Sequence, residues 1–211
     1  MKTMKVLCIG GFKKRANCTV TNLSKRVPKI YDFDMVILDI PSGEFFDLFE
    51  KLSAKKNEFI EFFRSGGTCF ALSTPRLAYG PKTNYDWCPF YVYGVAKSGE
   101  IICRSDRAKW LFDSISFRCR AYFSYYPKDV STILAVDRVG HPISLHVPHE
   151  KGHCIFLPYT DEKNELVKLL VRKGLSLVLE KEVEGPVEIP DWLKCRSLSE
   201  HLQRSKITKG F

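Results

Sequence analysis

The sequence contains no uninterrupted apolar run of about 18 residues or more, the length that a membrane-spanning helix needs. Its first residues also lack the apolar core and the small-residue cleavage site of a secretory signal peptide. The eight cysteines include no C-x-x-C pair, and their spacing matches neither a disulfide framework nor a zinc site. We therefore expect a cytoplasmic protein with reduced thiols, no membrane segment, no metal and no cofactor.

Acidic residues are scarce in two parts of the chain, which has 211 residues and a formal net charge of +9. Residues 1–30 contain eight lysines and arginines and no acid, and residues 76–128 contain nine against four acids. Residues 31–75 are net acidic, with four basic residues against eight acids. This asymmetry allows an anionic partner, either a small ligand or nucleic acid. A solvated basic face is the alternative explanation.

The clearest structural pattern lies in the net acidic part. Residues 35–40 form a compact aliphatic run, which predicts a strand buried on both faces. Apolar residues at helical spacing follow over residues 45–63, and the Gly66-Gly67 pair is a typical helix end. Thr68–Leu72 is the second buried run. A strand, a crossover helix and a strand predict two parallel neighbours in an open α/β sheet with helices on both faces.

Ligands of such sheets bind beyond the carboxyl ends of the strands. An earlier predicted strand, residues 5–9, runs into two glycines and a basic stretch, but the G-x-G-x-x-G pattern of dinucleotide-binding proteins is absent. We expect a pocket for a small anionic ligand at this edge, although a tight turn would explain the glycines equally. The candidate lining residues follow the ends of three predicted strands: Gly10, Gly11, Lys13, Ser42, Gly43, Ser73, Thr74 and Arg76.

Residues 76–128 depart from the α/β pattern, because 13 aromatic residues alternate there with basic ones and with short turn signals. Aromatic rings beside cations are typical of surfaces that stack nucleic-acid bases and neutralise phosphates. Rings packed in a core are the alternative. We interpret this region, residues 76 to about 130, as an insertion in a domain of residues 1–183. Residues 184–211 are predicted to form an extended tail.

The last third of the domain predicts a hairpin, a strand and a helix. Thr132–Val136 and residues 142–147 alternate around a turn, which predicts an added β-hairpin region. Residues 153–157 form another buried strand, and residues 162–179 form a helix with acids at its start. Four of the five histidines lie close together in this hairpin. A metal site or a catalytic base would explain them, but imidazoles on a solvent-facing hairpin explain them more simply. The four are His141, His146, His149 and His153.

This order of elements resembles the class I glutamine amidotransferase-like superfamily, near the branch of the trehalose-utilisation and β-galactosidase-associated domains. The resemblance covers residues 5–180 and implies an open, flavodoxin-like parallel sheet. The resemblance rests on these sequence segments, in order: a strand followed by Gly-Gly, then "DMVILD", a helix, "RSGGTCFALS", and "GHPISLHVPHEKGHCIFLP" before the closing helix.

The resemblance also implies where a catalytic triad would stand. The nucleophile position falls at Leu72 or Ser73, whereas Cys69 lies inside the strand. The Phe-His-Pro-Glu phrase of true amidotransferases matches residues 156–159, where Leu157 replaces histidine and Tyr159 replaces glutamate. We therefore expect a non-catalytic binding or regulatory module for a small anion or a protein partner. We also expect no histidine or carboxylate within hydrogen-bonding reach of the Ser73 hydroxyl.

Two alternative functions remain open at this point. Ser73 could be the nucleophile of a hydrolase or transferase if a histidine of the hairpin reached it as a base. The basic and aromatic residues 76–128 could instead form a nucleic-acid-binding surface.

Overall fold

The apolar runs of the sequence become the strands of one open sheet in the computed structural model, which describes residues 4–13, 18–21, 27–40, 45–79 and 81–178. Ser42, Gly43 and the predicted tail lie outside these ranges. The strands are β1 (Val6–Ile9), β2 (Thr19–Thr21), β3 (Met35–Leu38), β4 (Thr68–Leu72), β5 (Ala78–Tyr79), β6 (Lys82–Thr83), β7 (Tyr93–Ala96), β8 (Ile102–Cys103), β9 (Ala121–Tyr125), β10 (Thr132–Val136), β11 (Pro142–His149) and β12 (Gly152–Leu157).

The central sheet has eight strands in the order β2-β1-β3-β4-β12-β11-β10-β8. The first five are parallel to one another, and the last three extend the sheet by antiparallel pairing. Strands β3 and β4 are parallel neighbours, with Met35 opposite Thr68. The prediction of an open, mostly parallel α/β sheet with an added hairpin is therefore confirmed.

Helices cover both faces of the sheet, because successive strand residues point to opposite sides. On β3, Val36 and Leu38 pack with residues of the first two helices, whereas Met35 and Ile37 pack with the last two. Two separate hydrophobic cores result. The helices are α1 (Phe45–Ser53), α2 (Lys56–Arg64), α3 (Asp106–Ser114) and α4 (Lys163–Lys173), with 3₁₀ turns at Ile30–Asp32 and Gly174–Leu177.

The crossover between β3 and β4 is two helices, where one was predicted. Helix α1 ends at Ser53, and the chain turns through Ala54 and Lys55 before α2 begins. Between the buried Leu52 and Phe59, the positions that would continue the apolar stripe are lysines. A long helix would place those charges against the sheet, so the break keeps them at the surface.

The end of α2 follows the sequence-based expectation. Ser65 is the last residue in a right-handed conformation, and Gly66 follows with φ of +90°. A side chain would be strained in that conformation, so glycine stops the helix at this point.

The closing helix is shorter than the predicted residues 162–179. Helix α4 ends at Lys173, and a 3₁₀ turn over Gly174–Leu177 continues it. A Cβ atom at Gly174, the first residue of this turn, would lie 2.9 Å from the Phe70 ring, so a larger residue would collide with the sheet there.

Residues 76–128, which the sequence predicts to be an insertion of short pieces, contain strands β5 to β9 and helix α3. Strand β8 pairs with β10 and so belongs to the central sheet, while β5 pairs with β6 and β7 pairs with β9. Helix α3 was not predicted, because only Ala108 and Leu111 along it are buried and its apolar stripe is weak. No helix of the described residues is both long and apolar enough to cross a membrane.

Three cysteines lie together in the core between α2 and the sheet. Cys69 on β4 is the register partner of Cys154 on β12, and both side chains are fully buried. Burial raises the pKa of both thiols well above the ordinary value, and it raises the pKa of the nearby Cys88. A thiol held in its neutral form in an apolar core is a poor nucleophile.

We predict that Cys69 resists alkylation of the native protein, while the partly exposed Cys18 reacts readily. The measurement is maleimide labelling followed by peptide mass mapping, with labelling in urea as the control in which both residues react. Labelling of native Cys69 at the rate of Cys18 would contradict this view of the core.

Candidate functional site

The carboxyl ends of the parallel strands converge on a buried carboxylate. Asp39 follows β3, and its side chain is 0% exposed. The backbone N–H of Gly11 donates to Asp39 Oδ2 at 3.2 Å, and the Lys163 ammonium donates to the same oxygen at 2.5 Å. Gly10 lies against Asp39 with φ of +121°, and a Cβ atom there would be 2.8 Å from the aspartate backbone oxygen. The chain after β1 therefore requires glycine at this point.

Tyr159 lies at the same edge, two residues beyond β12. Its hydroxyl donates to Asp161 Oδ1 at 2.7 Å, and this hydrogen bond raises the tyrosine pKa and lowers the pKa of Asp161. The guanidinium carbon of Arg120 is 3.5 Å from the Tyr159 ring centroid, and the Lys163 ammonium is 5.5 Å from it. Two cations therefore share one aromatic ring.

An antiparallel bridge between Arg118 and Tyr159 brings the two arginines to this edge. The Arg118 N–H donates to the Tyr159 carbonyl at 2.7 Å, and the Arg118 guanidinium is 3.0 Å from Asp161. We call the whole group the carboxyl-edge cluster; its members are Asp39, Arg118, Arg120, Tyr159, Asp161 and Lys163.

The charges of the carboxyl-edge cluster do not balance. Lys163 is paired with Asp39, and Arg118 is paired with Asp161. Arg120 is exposed, and within the described ranges no carboxylate lies in ion-pair distance of its guanidinium. This third cation is therefore exposed to solvent and rests on the ring of Tyr159.

The predicted lining residues are only partly brought together. Gly10 and Gly11 contact Asp39 as described above, and Lys13 is exposed two residues further on. Ser73 and Thr74 are buried, with 1% and 6% of their surfaces exposed. Ser42 and Gly43 lie outside the described residues, and Arg76 belongs to a different surface that is described below.

The backbone of Thr74 is held by a buried tyrosine. The Tyr85 hydroxyl donates to the Thr74 carbonyl at 2.5 Å and accepts from the Thr74 N–H at 3.1 Å. Burial raises the pKa of Tyr85, so the phenol stays protonated and keeps both bonds. Because the adjacent Ser73 N–H also donates to the Leu157 carbonyl at 2.7 Å, this turn is occupied by internal hydrogen bonds.

The Ser73 hydroxyl has no hydrogen bond to a histidine or carboxylate among the residues that the structure describes. The histidines are engaged elsewhere. His141 contacts Asp137 at 2.9 Å and stacks on Tyr122, and His149 packs against the rings of Phe63 and Phe90. The absence of a triad at Ser73 stays a prediction that reactivity must test.

The sequence predicted that the four histidines lie on a solvent-facing hairpin, but the structure does not place them in one exposed cluster. Strands β11 and β12 spread them along the hairpin, and His146 is 4% exposed. His146 Nε2 lies 3.0 Å from His153 Nδ1, and burial lowers the His146 pKa to about 4. Within the described ranges, no group of three histidine, cysteine or acidic side chains has the geometry of a metal site.

A cavity of about 270 Å³ opens beside the core that the first two helices form with the sheet. Of the predicted lining residues, it includes Arg76. Its walls are Lys56, Arg76, Thr83, Tyr85, Asp86, Cys88, Pro89, Phe90, Tyr91 and Val92.

Sequence reasoning missed most of the carboxyl-edge cluster. Asp39 had a usable signal, because it ends an apolar run at the edge where ligands gather. Tyr159 follows the last strand, but it was considered only as a replacement for glutamate. Arg120 was counted only among the basic residues of the aromatic segment, because it reaches the edge through a bridge that has no sequence pattern.

No family model and no curated protein matches the chain. Several solved structures are similar in fold. A cytoplasmic protein from Salmonella typhimurium LT2 has a TM-score of 0.48 and 11% identity, over 83% of this chain and 96% of that chain. A proposed GMP synthase component from Thermoplasma acidophilum has a TM-score of 0.44 and 8% identity, over 84% of this chain and 96% of that chain.

A cold-adapted β-galactosidase from Rahnella sp. R3 has a TM-score of 0.47 and 13% identity, over 74% of this chain but 24% of that chain. At these scores and identities, the likenesses support no argument about function.

We predict that Tyr85→Phe lowers the free energy of unfolding by about 1–3 kcal/mol, because it leaves a buried N–H and a buried carbonyl without their partner. Urea unfolding is the measurement. Tyr125→Phe, at a tyrosine that is 57% exposed, is the matched control and should leave stability unchanged. Equal midpoints for both variants would mean that Tyr85 does not hold the turn after β4.

Proposed function

We propose that this protein is a cytoplasmic, non-catalytic, amidotransferase-like module that binds a small anion at the carboxyl edge of its parallel strands. The observation that carries the proposal is the placement of Arg120. Its guanidinium carbon lies 3.5 Å from the centroid of the Tyr159 ring, and no carboxylate of the described residues lies within ion-pair distance of it. A guanidinium held in one orientation presents paired N–H groups that fit a carboxylate or a phosphate.

The neighbouring charges favour an anion of modest size. Lys163 adds an ammonium 5.5 Å from the same ring, but Asp39 already neutralises it. Arg118 is likewise neutralised by Asp161. The excess is therefore one positive charge, which suits a single carboxylate or phosphate group better than a polyanion.

The resemblance to amidotransferases supports binding without catalysis. Leu157 and Tyr159 stand where that family has histidine and glutamate. Leucine has no group that accepts a proton, and the hydrogen bond to Asp161 raises the pKa of Tyr159 and keeps its phenol protonated. The Tyr159 hydroxyl is already committed to Asp161 at 2.7 Å. Ser73, at the expected nucleophile position, is 1% exposed, so a substrate would have difficulty reaching its hydroxyl.

The binding test compares Arg120→Gln with wild type by isothermal titration calorimetry against inorganic phosphate, glutamate and adenosine monophosphate. We expect at least one of these anions to bind and the variant to bind it about 10-fold more weakly or worse, since charge-assisted hydrogen bonds are lost. Arg172→Gln is the matched control, because Arg172 is an exposed arginine in the last turn of α4. Equal affinities for the two variants would contradict the proposed site.

A separate assay tests the absence of catalysis. We expect no hydrolysis of activated ester or amide substrates above the rate of the Ser73→Ala variant. Turnover by wild type that disappears in Ser73→Ala would show that the protein is a serine-dependent enzyme and not a non-catalytic module. This conclusion would hold whatever the result of the anion titration.

A further inference from the structure

A second surface, on and beside the two-stranded ribbon of β7 and β9, contains three exposed tyrosine rings and an arginine. Tyr91, Tyr93 and Tyr125 expose 53%, 37% and 57% of their surfaces. Tyr93 is opposite Tyr125 in the pairing of β7 with β9, and the rings of Tyr91 and Tyr125 meet edge to face at 5.0 Å. Together with Arg76 we call them the tyrosine–arginine surface.

Arg76 joins this group through both of its neighbouring rings. Its guanidinium carbon is 5.7 Å from the Tyr91 ring centroid and 5.1 Å from that of Tyr93, and its Nη1 donates to the Tyr91 hydroxyl at 3.0 Å. These contacts fix the rings and the cation relative to one another. Two exposed rings in edge-to-face contact, linked to a third exposed ring through one arginine, are unusual for a surface that meets only water.

The cavity of about 270 Å³ borders the same surface, because Arg76 and Tyr91 form part of its wall. Lys56 also lines it, and neither Lys56 nor Arg76 has a carboxylate partner in the described part of the chain. The acid in the wall, Asp86, is occupied by the N–H and the hydroxyl of Thr83 at 2.7 and 2.6 Å. The surface and its cavity are therefore suited to a ligand that has both flat rings and negative charge.

We propose that the tyrosine–arginine surface binds single-stranded nucleic acid, with unpaired bases stacked on Tyr91 and Tyr125 and backbone phosphates near Arg76 and Lys56. Every base has a π-face that an aromatic side chain can stack on, and cations beside the rings neutralise the backbone. In a duplex those faces are covered by neighbouring bases. The net charge of +9 favours association with a polyanion over a neutral sugar chain. This site uses none of the residues of the carboxyl-edge cluster.

The test is fluorescence anisotropy with labelled single-stranded DNA and RNA of about 12 nucleotides, a length within the usual site sizes. We expect Tyr125→Ala to weaken binding by about 5- to 150-fold, the loss that corresponds to one stacked base. Tyr125→Phe keeps the ring and should bind like wild type. Arg76→Gln should reduce the slope of log affinity against log salt concentration by about 0.7, because one phosphate contact is removed.

Tyr31→Ala is the matched control. Tyr31 is 41% exposed and also lies beside a cation, Lys29 at 5.6 Å, but it has no aromatic neighbour of this kind among the described residues. The Tyr31→Ala variant should bind the oligonucleotide as wild type does. Undetectable binding, equal binding by Tyr125→Ala, or a preference for the duplex would each overturn the proposal.

Two further outcomes would also overturn it. Wild-type protein that dimerises in sedimentation experiments, with the dimer abolished by Tyr125→Ala, would assign the surface to a second copy of the chain. Oligonucleotide binding that is lost in Arg120→Gln but kept in Tyr125→Ala would assign the nucleic acid to the carboxyl edge. A failure of anion binding at Arg120 leaves this proposal unaffected, because the two assays use separate residues.

Discussion

The ion pair between Asp39 and Lys163 is the constraint on which the carboxyl edge depends. It joins residues 124 positions apart in the chain, one at the end of β3 and the other at the start of α4. Asp39 is fully buried and Lys163 is 15% exposed, so removing either partner would leave a charge in a poorly solvated place. Breaking a buried pair in this way typically costs about 3–5 kcal/mol. The pair therefore holds the last helix over the sheet edge.

Asp39 and Lys163 also make contacts with other residues at the carboxyl edge. Gly11 adds its N–H to Asp39, which fixes the chain after β1, and Gly10 is needed because a side chain would collide with the aspartate. Lys163, held by Asp39, lies 5.5 Å from the Tyr159 ring, and Arg120 lies against the same ring. One buried carboxylate thus positions Lys163 and the chain after β1, while the bridge between Arg118 and Tyr159 positions the ring and the arginines.

The sequence predicted those parts of the fold that depend on local pattern. Residues 35–40 and Thr68–Leu72 are apolar runs, and the structure pairs them in parallel as buried strands. Helix α3 escaped prediction because tertiary contacts at Ala108 and Leu111, rather than a broad apolar stripe, hold it in place. The break between α1 and α2 escaped because helical spacing alone does not show where lysines interrupt the stripe.

The candidate sites were harder to predict, since they depend on contacts between distant parts of the chain. Gly10 and Gly11 were identified from a strand that ends in glycines, and they do contact Asp39. The placement of Arg120 on Tyr159 comes from an isolated bridge, and no periodicity predicts such a contact. Likewise, a sequence cannot say which of 13 aromatic residues are buried, as Tyr85 is, and which are exposed, as Tyr125 is.

Strand β9 connects the two proposed binding surfaces. Phe123, in its middle, packs on Phe156 of β12 with ring centroids 5.1 Å apart and so fixes the strand to the sheet. Arg120 immediately precedes the strand and reaches the carboxyl edge, while Tyr125 ends it on the tyrosine–arginine surface. Five residues of extended chain span at most about 18 Å. A strand anchored at its centre therefore holds the anion site and the stacking surface at a fixed separation along one element of the fold.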